Sequence, residues 1–212
     1  MLNIHRKFCR ETFYDGRLVD FQPVYQENFN FAYDVMDVIG REEPDRRAML
    51  WCNEEGEEHT FTFGDMVRYS NQAANFFAAH GVGRGDRVML ILKRHYQFWF
   101  ALLGLHKLGA VGIPATNQLT KKDIAYRCNA AGVSLVICTT DGDVADHVEA
   151  ALPESPTVHT LVSVHGPRKG WIDFDAEFPS CSDVLERLPT AAKDPMLIYF
   201  TSGTTGMPKM VC

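Results

Sequence analysis

Runs of apolar residues recur along the chain and set its predicted strands. Continuous runs at 87–92 and 135–138 are typical of strands that are buried on both faces, as in parallel sheets. Further strands are predicted at 110–114, 160–164 and 196–200. The last of these leads directly into a segment rich in glycine and hydroxyl side chains, so the chemistry of the chain is expected to follow a buried strand.

Segments with helical spacing of apolar residues lie between these strands. Thr120 and Asp123 form a capping-box pattern at the start of one helix, and Gly132 is placed to end it. The predicted helices cover residues 62–80, 96–108, 120–132 and 143–152, with a short helix at 181–188. The alternation of strands and helices predicts an α/β fold with a mainly parallel sheet flanked by helices.

The first part of the chain follows a different pattern. We interpret residues 1–46 as a lead-in segment, in which Asn30 caps a short helix that ends at Gly40. Two strands at 48–52 and 59–63, joined through a glycine-containing turn, are predicted to form a hairpin.

Composition and charge make some classes of function less suitable for this chain. With 46% hydrophobic residues the chain can build a core, and a net charge of −6 disfavours broad nucleic-acid binding, because an acidic surface repels phosphates. The longest apolar run, 98–105, is too short to cross a bilayer, and the N-terminus lacks the apolar stretch of a signal peptide. We therefore predict no membrane span and a cytoplasmic location.

Cysteines and histidines show no pattern of a metal centre. No C-x-x-C pair occurs among the six cysteines, and reduced thiols are expected, with Cys128 and Cys138 in apolar surroundings. The histidines form no i, i+4 pair that would place two of them on one helical face. We therefore predict no metal site and take these histidines as surface or half-buried residues: His95, His106, His147, His159 and His165.

The segment that follows the last strand is suited to phosphate. Its glycines permit close backbone approach, successive amides can point at one anion, and hydroxyls and a lysine add donors and positive charge. The predicted phosphate-binding residues are Thr201, Ser202, Gly203, Thr204, Thr205, Gly206 and Lys209.

Two other phosphate-binding patterns fit poorly, and a surface turn is the simplest alternative. A Walker A loop has four residues between its glycines and a lysine directly after the second, whereas only two residues separate Gly203 from Gly206. The glycine-rich stretch 81–85 precedes its strand, which disfavours a dinucleotide-binding fold. A buried strand, four hydroxyls, two glycines and a lysine in this order favour phosphate over the surface turn.

Four segments resemble those of the adenylate-forming enzymes, which include acyl-CoA synthetases, peptide-synthetase adenylation domains and luciferases. Residues 199–209 resemble the signature loop of that family, and the residues before them resemble its recurring early segments: 61–65, 83–88 and 107–115. The stretch 28–119 is most similar to acetyl- and medium-chain acyl-CoA synthetases. The resemblance identifies 47–212 as the N-terminal portion of an AMP-binding domain.

The resemblance implies an ATP-dependent carboxylate–CoA ligase that works in two steps. A carboxylic acid attacks the α-phosphate of ATP to form an acyl-adenylate, and coenzyme A then takes the acyl group. Residues 201–209 would hold the departing phosphates, helped by Mg²⁺. Family members are longer, and the remaining binding motifs and a catalytic lysine lie downstream. We therefore expect no catalytic residue within this chain and no activity from the chain alone.

Two alternatives stay open at this stage. The chain could be a non-catalytic nucleotide-binding remnant, because binding and catalysis share the same loop. It could also belong to an adenylate-forming enzyme that uses an acceptor other than coenzyme A. The acyl group is undetermined by these residues, and acetate, other short-chain, medium-chain and aryl acids are all compatible with them.

Overall fold

A computed structural model describes residues 3–201 and 206–212. The chain divides into two compact units, one formed by residues up to Arg68 together with Pro189–Asp194, the other by Tyr69–Leu188 together with the described part of 195–212. The predicted boundary between 1–46 and 47–212 is a division by resemblance and stays a prediction.

The first unit contains two antiparallel hairpins. After a 3-10 turn at Ile4–Lys7, β1 (Cys9–Tyr14) pairs with β2 (Arg17–Pro23). Asp15 and Gly16 join them with positive φ angles of 49° and 71°, the geometry of a type I′ turn. This hairpin was not predicted, although Asp-Gly is its sequence signal. The predicted hairpin at 48–63 is confirmed as β3 (Arg47–Cys52) and β4 (Glu58–Thr62).

The predicted helix after Asn30 is confirmed, but its end is not. The Ala32 amide donates to Asn30 Oδ1 at 3.0 Å, and a π-helical turn (Ala32–Met36) continues into α1 (Asp37–Glu42). The helix therefore passes through Gly40. A Cβ at this position would lie 2.9 Å from the carbonyl oxygen of Phe63, so this glycine allows close packing and does not end the helix.

The capping pattern at 62–65 is confirmed. The Thr62 amide donates to Asp65 Oδ2 at 3.0 Å, and the Asp65 amide donates to Thr62 Oγ1 at 3.1 Å. These two bonds satisfy amides at the start of α2 (Phe63–Ala79), whose first turn has no backbone partners for them.

The second unit is built on a five-stranded parallel sheet. Along the chain it contains β5 (Arg87–Ile91), α3 (Gln97–Leu108), β6 (Val111–Pro114), α4 (Lys121–Ala131), β7 (Leu135–Thr139), α5 (Val144–Ala151), a 3-10 turn (Leu152–Glu154), β8 (Thr160–Val164), β9 (Ile172–Asp173), α6 (Phe174–Glu177) and a 3-10 turn (Phe178–Ser180). The strand order is β6-β5-β7-β8-β9 and all neighbours are parallel. The predicted α/β fold is confirmed.

The core of this unit is packed between the sheet and its helices. Met89 and Val136 on the strands belong to one buried cluster with Ile124 of α4 and Val148 of α5. The caps predicted for α4 are present: Thr120 and Asp123 form a capping box, and Gly132 adopts a left-handed conformation.

Two thiols lie in the same core, as predicted. Cys128 and Cys138 are each about 1% exposed or less. Burial raises the pKa of Cys128 to about 11 and that of Cys138 to about 12, since a thiolate is poorly solvated there. Neither is therefore a reactive nucleophile at neutral pH.

Two sequence predictions are corrected in this unit. Residues 181–188 form no helix, because their carbonyl groups face side-chain amides of α2: Asn71 donates to Asp183 O at 2.8 Å and Asn75 donates to Ser182 O at 2.7 Å. Residues 196–200 do not form one continuous buried strand. Leu197 makes a single parallel bridge to Gly112, and the chain then enters a separate hairpin.

Candidate functional site

The predicted phosphate loop connects the strands of an antiparallel hairpin. Strand β10 (Tyr199–Thr201) pairs with β11 (Lys209–Val211), so that Thr201 faces Lys209. The Thr201 hydroxyl donates to the Lys209 carbonyl oxygen at 3.4 Å. Gly206 has a φ of 149°, which a side-chain-bearing residue rarely adopts. The side chains at the two ends of the loop are exposed, as a ligand from solvent requires.

Helix α4 holds this hairpin in place. The Tyr126 hydroxyl donates to the Pro208 carbonyl oxygen at 2.8 Å, and the ring of Tyr126 meets Phe200 edge-on with centroids 6.2 Å apart. The Arg127 guanidinium lies 5.4 Å from the centre of the Phe200 ring. Both flanks of the loop are therefore fixed by one element.

The hairpin also has a defined place relative to the sheet. The Gly112 amide donates to the Met196 carbonyl oxygen and the Ile198 amide donates to the Gly112 carbonyl oxygen, both at 3.0 Å. Residues 196–198 thus run parallel to β6, and the hairpin follows their carboxyl end. In open α/β sheets, ligands bind outside the carboxyl ends of the strands.

Three of the seven predicted phosphate-binding residues can be located. Thr201 and Lys209 are brought together as cross-strand partners, and Gly206 lies in the segment between them. Ser202, Gly203, Thr204 and Thr205 lie outside the described residues. The assignment of all seven to phosphate stays a prediction.

A second polar cluster, which we name the His95–Asp141–His165 cluster, was missed by sequence reasoning. His165 Nδ1 lies 2.6 Å from Asp141 Oδ1, and His95 Nε2 lies 3.4 Å from Asp141 Oδ2. The two imidazole rings are 4.7 Å apart between centroids. One signal could have found it, because each residue comes shortly after a predicted parallel strand, and the carboxyl ends of parallel strands meet at one edge.

The negative charge of Asp141 in this cluster lies close to positively charged groups. Lys93 Nζ lies 3.6 Å from Asp141 Oδ2. Burial acts to raise the pKa of Asp141, but the hydrogen bond from His165 and the nearby positive charges outweigh it and lower that pKa. Burial and the charge of His165 lower the pKa of His95. Asp141 is therefore an anion and His95 a neutral imidazole near neutral pH.

The architecture and the hairpin define the class of protein. A parallel, helix-flanked sheet is bridged by Leu197, and a hairpin with the glycine- and hydroxyl-rich segment follows this bridge. The family model for "AMP-binding enzyme" matches residues 37–212. The chain therefore belongs to the AMP-binding enzyme family.

Two of the relatives that match this chain are named as acyl-coenzyme A synthetases. A rat protein named acyl-coenzyme A synthetase ACSM5, mitochondrial, is 40% identical over 192 residues, which cover 87% of this chain and 33% of the rat protein. The human protein of the same name is 38% identical over the same shares of each chain. The chain thus spans about a third of the length of the curated relatives it matches.

A solved structure supports the same fold. The crystal structure of the anthranilate CoA ligase AuaEII in complex with anthranoyl-AMP superposes with a TM-score of 0.76 at 22% identity, covering 88% of this chain and 35% of that one.

Among the residues that the structure describes here, no helix is both long and apolar enough to span a membrane.

Proposed function

We propose that this chain is the ATP-phosphate-binding portion of a carboxylate–CoA ligase that works through an acyl-adenylate. Family membership and the names of the relatives support the reaction class. In that reaction a carboxylate oxygen attacks the α-phosphorus of ATP, the bond to the β-phosphate oxygen breaks, and pyrophosphate leaves. The thiol of coenzyme A then displaces AMP from the acyl group.

The observation that carries the proposal is the hairpin that follows residues 196–198. It presents Thr201 and Lys209 side by side in solvent at the carboxyl end of a strand, with its flanks held by Tyr126 and Phe200. A hydroxyl, an ammonium and glycine-rich backbone are donors suited to phosphate oxygens. Their role is to position the leaving phosphates and to stabilise their charge.

The same residues suit ATP together with Mg²⁺. No carboxylate occurs between Tyr199 and Val211, so this segment would offer a magnesium ion hydroxyl oxygens only, beside the phosphate oxygens of the nucleotide and water.

Nucleotide binding by the chain itself is the direct test. We expect ATP, measured by calorimetry with Mg²⁺ present, to bind about tenfold more weakly to Lys209→Ala, because a charge-assisted hydrogen bond is lost. Lys169→Ala, which removes another exposed lysine, is the matched control and should bind as the unmodified chain does. Equal affinities of the two variants would contradict the phosphate assignment, provided that their thermal melts coincide.

The chemistry is tested by carboxylate-dependent exchange of pyrophosphate into ATP by the gene product at its native length. A panel of short-chain, medium-chain and aryl acids identifies the substrate class, and release of AMP on addition of coenzyme A identifies the acceptor. ATP binding without exchange would favour the non-catalytic remnant. Exchange without a response to coenzyme A would favour another acceptor.

The compartment is a separate proposal. The N-terminal residues predict the cytoplasm, whereas the relatives are named as mitochondrial. Fractionation of cells that express the native gene product distinguishes the two.

A further inference from the structure

The strand order of the second unit singles out one point on the edge of its sheet. From β5 the chain first moves to β6 on one side and then crosses to β7 on the other, so β5 and β7 are neighbours whose connections leave in opposite directions. Such a topological switch point opens a crevice outside the carboxyl ends of the strands, where open α/β sheets place ligands. Polar side chains at that point are therefore candidates for binding.

The His95–Asp141–His165 cluster lies at this switch point. Its members follow the carboxyl ends of β5, β7 and β8, three adjacent strands. One ligand atom from each residue can be chosen so that all three lie within 4.8 Å of one another. Two imidazole nitrogens and one carboxylate oxygen at this spacing can converge on a single ion.

Surrounding residues hold the cluster in position. The His165 amide donates to Asp175 Oδ2 at 2.7 Å, and Gln97 donates to the other oxygen of that carboxylate at 2.8 Å. His165 keeps a left-handed φ of 68°, which is uncommon for a residue with a side chain and persists when its surroundings enforce it. The ligand atoms are thus presented by an ordered framework.

Access from solvent also suits a cation. The exposed fraction of the side chain is 60% for His165, 29% for Asp141 and 10% for His95, so one side of the cluster faces solvent while the other is buried.

We propose that His95, Asp141 and His165 form a binding site for a divalent first-row transition-metal ion of the zinc type. Two imidazoles and one carboxylate suit Zn²⁺ better than Mg²⁺ or Ca²⁺, which prefer oxygen ligands. The remaining positions on the ion would be taken by water. This site uses none of the phosphate-loop residues, and it does not rest on the proposed function.

The alternative is that these three residues bind no metal and form a hydrogen-bond network that joins the ends of the strands. Lys93 already supplies a cation 3.6 Å from Asp141, and His95 Nε2 lies 2.8 Å from Thr139 Oγ1. In that account an added metal gains little, because it must displace the lysine and break the contact to Thr139. Metal titration separates the two accounts.

The test is a titration of the purified chain with Co²⁺, followed by its visible spectrum, and a competition with Zn²⁺. Any polyhistidine tag is removed first, since it binds the same ions. We expect saturation at one equivalent and an affinity at least about tenfold lower in His165→Gln. His165 is largely exposed, so this variant should keep the fold, which its thermal melt verifies.

The matched control is His147→Gln. His147 of α5 lies 3.7 Å from Asp143, and within the described part of the chain this histidine–carboxylate pair belongs to no three-ligand group. Its substitution should leave Co²⁺ binding unchanged. Absence of saturable binding, or equal losses in the two variants, would overturn the proposal.

A measurement on the unsubstituted chain guards against effects on folding. In imidazole ¹H–¹⁵N spectra, Zn²⁺ below one equivalent should shift or broaden the His95 and His165 signals before those of His147 and His159. Uniform changes across all four histidines would show weak surface binding only and would contradict the site.

Discussion

The parallel sheet of the second unit and the β1–β2 hairpin of the first differ in what stabilises them. Met89, Leu90 and Ile91 of β5 are fully buried, whereas every residue of β2 is exposed. The sheet is held by removal of apolar surface from water. The hairpin depends on its own backbone pairs and on a turn whose two residues accept positive φ angles.

The difference shows that nearby residues alone can specify the hairpin, whereas the sheet also requires distant segments. A two-residue turn defines its hairpin within one short stretch of chain, Cys9–Pro23, so its information is local. Parallel strands need crossover connections, and each of these strands gains its stability only after distant segments have packed. Substitutions should therefore act globally in the sheet and locally in the hairpin.

The largest contrast is expected from apolar truncation. Ile91→Ala leaves a cavity in the core and should lower the free energy of unfolding by about 2–5 kcal/mol. Leu18→Ala in β2, where the side chain is 52% exposed, is the matched control and should change it by less than about 0.5 kcal/mol. Urea unfolding measures both, and comparable losses would refute the contrast.

The second-largest effect is expected from acid, which should lower the free energy of unfolding through a buried histidine. Burial lowers the pKa of His106 on α3 from 6.5 to about 4, so between these values the unfolded chain binds a proton that the folded chain excludes. Stability should therefore be retained above pH 6.5 and lost as pH falls towards 4, by about 3 kcal/mol in all.

A pair of variants isolates this contribution. In His106→Leu the loss between pH 6.5 and 4 should shrink by about that amount, while His147→Leu, at a half-buried position, should keep the slope of the unmodified chain. Urea unfolding at several pH values gives the slopes. Identical slopes in the two variants would exclude His106 as the source.

The smallest expected effect lies in the hairpin turn. Gly16→Ala places a side chain at a φ of 71° and should cost about 1 kcal/mol, although a Cβ there would meet no neighbouring atom. Amide hydrogen exchange should quicken in β1 and β2 and stay unchanged in β5. Asp15→Asn, which tolerates the left-handed conformation, is the control and should protect the hairpin as before.

Local signals in the sequence predicted most of the second unit. The apolar runs marked the strands, and Thr120 with Asp123 marked the start of α4 because a capping box involves only neighbours in the chain. The hairpin at Asp15 and Gly16 could have been predicted from the same kind of signal. The phosphate loop was visible as a pattern, while its antiparallel strands were not.

The failures share a physical cause. Residues 181–188 had helical potential, but side-chain amides of Asn71 and Asn75, more than 100 positions earlier, bind carbonyl groups of this segment. Residues 196–200 looked like one buried strand, but only Leu197 bridges to the sheet before the chain turns into β10. In both cases tertiary partners override local preference.

The sequence by itself determined where most strands and helices of the second unit lie and where α4 begins and ends. It also predicts a phosphate-binding loop after the last apolar run. Only the tertiary structure decided the order of the strands, and with it the meeting of His95, Asp141 and His165. Hydrophobic periodicity reports whether a strand is buried but not which strand lies beside it. Neighbours are selected by packing among segments that are far apart in the chain.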